Sequence, residues 1–347
     1  MTEGAMEPDL EPLWAAQRVW NGVALDADGT PYVSFPSADG RGVQAARIGP
    51  GDALVPFPDE PWNRLRREPD PDAGFVNVNA LRFGPDGLLW IVDAGAPGIG
   101  EAAVEGGGRL LAFEAASGTL ARTIDLAPAL KGKSYVDDIR FNGDHVYATD
   151  AGDPGLIVIR LSDGAMRRVL GGHPSTTDRR PMRADGTVLR TKKGDELRVH
   201  CDQLEVSPDG QWLYYQPGSG PLYRLPADLL NDFGTQEDAL AAAVETSFDS
   251  PTTGGTAIDA EGAIYLNAPD TRTLIRIAPD GASEVLLQDD RLIWADAMWL
   301  HRDGCLYIPA TQQNRTPGFN GGRMAVEYPV WIYRLEIGRQ PAPNDHA

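Results

Sequence analysis

Asn21, Asn79, Asp137, Asp202 and Asp296 each open the same kind of phrase, a short hydrophobic run closed by a turn rich in Asp and Gly. Asn79-Ala-Leu-Arg-Phe83-Gly-Pro-Asp-Gly and Asp202-Gln-Leu-Glu-Val206-Ser-Pro-Asp-Gly show the pattern most fully, and a sixth copy has Gly254 at the polar position. If such units surround one axis, the five side chains converge. Like charges in a partly desolvated site raise each other's pKa, and a divalent cation relieves that cost. An all-oxygen set favours Ca²⁺, with Mg²⁺ or Mn²⁺ as alternatives, and none of the five histidines has the paired spacing of a zinc site. The expected metal ligands are therefore Asn21, Asn79, Asp137, Asp202 and Asp296, with Asp202 or Asp137 as general base. The competing reading is that these residues only cap turns entering the strands.

The elements that would position them follow from what comes after each phrase. Each continues into a second strand rich in Val, Ile, Tyr and Trp, such as Leu89-Trp-Ile-Val-Asp93 and His145-Val-Tyr-Ala-Thr-Asp150, suited to a pleated, buried sheet. Further strands follow in most repeats, so about four accumulate per unit. Units of this kind cannot bury their faces alone and stack around a channel. The expected fold is all-β, a six-bladed β-propeller with long channel-face loops. It occupies residues 13–338, between flexible tails at 1–12 and 339–347. The last strand, Val330 to Glu336, is expected to close the ring by pairing near Trp14 to Trp20. Asp228 to Val244 suits a short packing helix.

Successive polar positions lie further apart than a minimal blade requires, so several repeats carry long loops, which suit lids over the channel mouth. Pro50 to Asp72 contains Trp62; Ala94 to Gly108 is Gly-rich; Gly171 to Arg198 is long and basic. Arg179, Arg180 and Arg183 in the last are candidates for binding a substrate carboxylate or phosphate, against the alternative of a solvated loop. His200 and Trp62 complete the substrate-binding candidates. Asp93, Asp150 and Gln216 also stand at matching positions, which turn formation explains equally well.

The formal charge of −19 opposes nucleic acid and anionic lipid as partners. The N-terminus lacks a basic start and an apolar run, so a cytoplasmic protein off the membrane is expected, and as propellers are self-sufficient, a monomer acting on a small molecule. Two cysteines, Cys201 and Cys305, fall in different repeats and read as small buried residues rather than a disulfide framework. Gly98-Ile-Gly-Glu-Ala-Ala103 mimics a dinucleotide fingerprint, but Gly106-Gly-Gly108 and a strand-like run follow where its helix should be, so no nucleotide cofactor is expected.

Asp86-Gly-Leu-Leu-Trp-Ile-Val-Asp-Ala-Gly95, Val136-Asp-Asp-Ile-Arg-Phe-Asn-Gly143, Asp289-Asp-Arg-Leu-Ile-Trp-Ala-Asp-Ala-Met298 and Leu306-Tyr-Ile-Pro-Ala-Thr-Gln-Gln-Asn314 resemble the major royal jelly protein/yellow family, in order over about 20–338. The resemblance implies a six-bladed propeller, in a family that mixes ligand binders with members linked to dopachrome conversion. The wider SMP-30/gluconolactonase-like group holds a channel cation on Glu, Asn and Asp that activates water against a lactone. By motif its Glu falls on Asn21, its two Asn on Asn79 and Asp202, and its essential Asp on Gly254. Only Asn79 is retained in kind. The functional expectation is a metal-assisted, lactonase-like hydrolase of a small polar metabolite. The alternatives are a tautomerase or isomerase using the channel carboxylates, and a non-catalytic ligand binder.

Overall fold

The computed structural model describes residues 9–40, 42–64 and 74–344. Six four-stranded antiparallel sheets form the six blades of a propeller. Blades one to five each run outward from an inner strand: Val23–Leu25, Val78–Phe83, Val136–Asn142, Cys201–Val206 and Thr256–Ile258. Blade six has Trp299–Leu300, Cys305–Ala310 and Val330–Glu336, and takes its outermost strand, Leu10–Ala16, from the start of the chain. The expected closure is therefore present, with Trp14 opposite Ile332 and Ala16 opposite Val330. Trp14 also stacks on Tyr307 at 5.7 Å. This strand begins at Leu10, inside the segment read as a tail, of which residues 1–8 lie outside the described residues. The C-terminal stretch packs too: Ala342 is buried and Arg339 pairs with Glu261.

Apolar residues explain why the blades stand where they do. Separate hydrophobic clusters fill the interfaces between neighbours: Trp90 and Val92 with Ile139 and Phe141 between blades two and three, Leu156 and Val158 with Leu204 and Leu213 between three and four. Burying one such side chain fully contributes about 1.5–3 kcal/mol. The second strands of the blades are almost wholly buried, whereas the outermost strands meet water, with Val285 61% exposed. Inner strands touch their neighbours around a closed ring. Cys201 and Cys305 are both buried, and desolvation pushes the Cys201 thiol well above its usual range. Asp228 to Val244 holds two short helices, Ala227–Asn231 and Glu237–Ala243.

The long basic loop is ordered by a small core of its own. Met182, Leu189, Leu197 and Val199 pack with Trp294 and Phe319 over one end of the channel, and a two-stranded hairpin, Arg183–Ala184 with Thr187–Val188, stiffens it. Among the described residues no helix is long and apolar enough to cross a membrane.

Candidate active site

Three of the five polar positions sit on a shared backbone irregularity. Val78 pairs with Asp93 and Leu81 with Ile91, so two residues on the inner strand, Asn79 and Ala80, face one on its partner. The same extra residue occurs between Val136 and Ile139 and between Cys201 and Leu204. Such bulges re-aim side chains, and here they carry Asn79, Asp137 and Asp202. A buried latch pins the chain where two of these strands begin. Asp93 accepts from Val76 N and Asn77 N and binds Arg109 at 2.7 Å; Asp150 accepts from Tyr135 N and binds Arg168 at 2.9 Å. Both carboxylates are fully buried, so two of the three matching positions, Asp93 and Asp150, fix the entry to the site, whereas Gln216 hydrogen-bonds Ser250.

The polar ring assembles as the repeat demands. Asn21, Asn79, Asp137, Asp202, Gly254 and Asp296 all line one cavity of about 630 Å³ at the channel mouth. Their contacts are directional. Asn79 Nδ2 donates to an Asp137 carboxylate oxygen, and Tyr135 donates its hydroxyl to Asn79 Oδ1 at 3.0 Å. The Tyr135 oxygen in turn accepts from Asn77 Nδ2 at 3.3 Å, which fixes the phenol and through it the Asn79 amide. Asn21 Nδ2 reaches the Asn79 carbonyl at 3.3 Å. Asp296 accepts from Trp294 Nε1 and from Ala297 N, each at 2.9 Å.

Asp137 and Asp202 lie close enough in the cavity for a hydrogen bond to join their carboxyls when one of them is protonated. Burial raises Asp137 from 3.8 to about 6, even though the bond from Asp202 lowers it. Asp202 is pushed well above the carboxylate range by burial, by the Asp137 charge and by the bond itself. Asp296 is raised well above it by burial and by Asp137. Burial and mutual repulsion thus favour the protonated form of both groups, more strongly at Asp202 than at Asp137. Beneath the ring Arg140 makes a two-pronged pair with Glu205 at 2.9 Å and also reaches Asp138, to which Arg82 comes within 3.9 Å, so two arginines match the two acids below.

This arrangement bears on the expected cation. Among the described residues no three of His, Cys, Asp and Glu converge closely enough to hold a metal ion. Asn79 offers its N–H to Asp137 while its oxygen takes the Tyr135 hydroxyl, and both Asp296 oxygens accept protein N–H groups. A side chain cannot be restored at Gly254, because a Cβ there would lie 2.1 Å from the Ala295 carbonyl oxygen. As arranged, the polar groups of the ring are turned toward one another and toward protein N–H groups.

The five substrate-binding candidates lie away from this cavity. Arg180 pairs with Asp249 at 2.7 Å, Arg183 lies 3.6 Å from Asp270, and Arg179 is exposed. Arg180 and Arg183 thus spend their charges on acids of blades four and five. His200 Nδ1 accepts from Asp178 N and anchors the loop. Trp62 packs edge-on to Phe113 and against Phe75, in an aromatic cluster under blade one; residues 65–72 of its loop lie outside the described residues. The sequence reading missed Tyr135, Trp294, Phe319, Lys133, Lys192 and Lys193, all of which line the cavity. Pro97 to Glu101, the false dinucleotide phrase, is a loop at the same mouth.

Comparisons with known proteins agree with this architecture. The sequence profile described as major royal jelly protein matches residues 81–324, about seven tenths of the chain. No curated protein matches the sequence. Among solved structures, a luciferin-regenerating enzyme aligns with a TM-score of 0.60 at 12% identity, covering 98% of this chain and 99% of its own. A gluconolactonase from Xanthomonas campestris aligns at 0.56 and 13%, covering 95% and 90%. Virginiamycin B lyase from Staphylococcus aureus aligns at 0.55 and 11%, covering 95% and 100%. At such identities the likeness is one of fold.

Proposed function

The chain belongs to the major royal jelly protein family, and from that premise we propose that it is an enzyme that moves a proton on a small polar metabolite held in its channel. The observation that carries this is the pair of Asp137 and Asp202, carboxyls of raised pKa side by side at the floor of a cavity large enough for a metabolite. In the reaction that suits it, ionised Asp137 removes a proton from a carbon beside a carbonyl while Asp202 gives its own to the carbonyl oxygen. The resulting enol then takes the proton held by Asp137 at a different carbon as its hydroxyl proton returns to Asp202, so both carboxyls are restored, the product is an isomer and nothing else is consumed. Tyr135 and Asn77 hold the Asn79 amide so that its N–H steadies the Asp137 charge.

Lactone hydrolysis, with the same carboxylate drawing a proton from water, is the second reading. It is favoured by the propeller shared with the Xanthomonas campestris gluconolactonase, and weakened by Gly254, which stands where that group has its essential Asp. A panel of small carbonyl compounds and lactones incubated in deuterated water separates the readings. Deuterium in a rearranged, unhydrolysed product supports proton transfer; a ring-opened acid supports hydrolysis. Turnover that survives both Asp137→Asn and Asp202→Asn overturns the proposal, and binding with no turnover of any compound points to a ligand carrier instead.

A further inference from the structure

The chain has only four lysines among its 31 basic residues: Lys131, Lys133, Lys192 and Lys193. Three of them, Lys133, Lys192 and Lys193, line the mouth of the channel cavity, brought there by two loops from different blades. All three are exposed, and none forms an ion pair among the described residues, whereas Lys131 lies 3.9 Å from Asp153. Arginine supplies the basic partner in most other ion pairs of this protein, such as Arg109 with Asp93 and Arg168 with Asp150. Lysine is a mobile point charge, suited to meeting an incoming ligand rather than to a fixed planar pair. Two acids, Glu101 and Asp195, share the rim and leave it one positive charge in excess, on a protein of net charge −19.

Charge is therefore graded along the cavity. The lysines stand at the rim, an apolar collar of Ile99, Leu197, Trp294 and Phe319 lies in the wall, and the carboxylates form the floor. A ligand that carried its negative charge inward would meet Asp137. One that carries it outward satisfies the rim, buries its body against the collar and leaves its reactive end at the floor. We propose that the channel selects small anions, molecules with a carboxylate or phosphate at one end and an apolar body, and binds them with the anionic end at Lys133, Lys192 and Lys193. This rests on the channel being the ligand site, the same premise as the proton-transfer reading.

The test is isothermal titration calorimetry of the full chain with four probes of one shape: benzoate, phenyl phosphate, benzamide and benzylamine. The two anions are expected to bind at least about tenfold more tightly than the amide or the amine, with affinity falling as salt is added. The comparison between benzoate and phenyl phosphate decides which anion is preferred. The triple variant Lys133→Ala, Lys192→Ala, Lys193→Ala, changed only at exposed positions, is expected to lose about tenfold in anion affinity and none for benzamide. Equal binding of amine and anion, no binding of either anion, or unchanged anion affinity in the triple variant overturns the proposal. Asp137→Asn separates the two readings: lost turnover with anion preference retained supports both. Turnover retained sinks the catalytic reading alone, and loss of the preference only in the lysine variant places it at the rim.

Discussion

Asp137 carries the cost of the site as well as its chemistry. Folding raises its pKa from 3.8 to about 6, mainly by desolvation. The native state therefore holds a proton that the unfolded chain has already released, and this group's contribution to stability falls as pH rises from about 4 to about 6. Asp137→Asn removes the buried charge while keeping an oxygen to accept from Asn79. It is expected to raise the melting temperature at neutral pH, by the equivalent of about 1–3 kcal/mol, and to abolish turnover. Thermal melts of both proteins from acid to neutral pH check this, and the gap between them should close as pH falls below about 5. The rate itself should rise as Asp137 ionises and decline once Asp202 loses its proton, a bell whose two limbs belong to the pair rather than to either residue. At this scale the sequence was legible where repetition exposed it: all five polar positions reach one cavity. Their hydrogen-bond directions were not legible, because Tyr135 and Asn77, which orient Asn79, sit outside the repeated register.

Strands and loops decide how tightly these residues are held. Gly254 and Gly255 pass so close to blade six that a Cβ on either would come within 2.5 Å of its backbone. Gly254→Ala is therefore expected to destabilise the protein by about 1–3 kcal/mol or more, read from urea unfolding. The same close approach explains why the repeat departs from a polar residue in blade five. Asp150→Ala would leave Arg168, in a largely buried site, only its longer 3.6 Å carboxylate contact with Asp153 and should cost about 3 kcal/mol. It should also loosen the start of the Asp137 strand, since Tyr135 N loses its acceptor. Asp93 and Asp150 look like turn residues in sequence because the arginines they bind, Arg109 and Arg168, lie on later strands that only the folded blade brings back. Arg179, Arg180 and Arg183 misled for a related reason: composition marks a basic loop, but not which of its residues face the channel, and Lys192 and Lys193 further along it do.

For the molecule as a whole, closure of the ring is the decisive contact. Leu10–Ala16 supplies the outer strand of blade six, and its removal would bare the edge of Val330–Glu336. Deleting residues 10–16 is expected to broaden or abolish the cooperative thermal transition followed by circular dichroism. The architecture was readable from the sequence because each blade repeats a strand, an Asp-Gly-type turn and a strand, and because Val330 to Glu336 follows the sixth copy of that repeat. What such repetition leaves unwritten is the chemistry in the channel, which depends on whether three carboxylates meet as ligands or share protons. Carbon-13 NMR titration of the aspartate carboxyls, with Asp137→Asn and Asp202→Asn for assignment, answers that directly. One carboxyl titrating near pH 6 and lost in Asp137→Asn, with a second still protonated at neutral pH and lost in Asp202→Asn, is the result expected. Two carboxylates both ionised at neutral pH, titrating in the ordinary acidic range or held there by a stoichiometric cation, would contradict the acid–base pair.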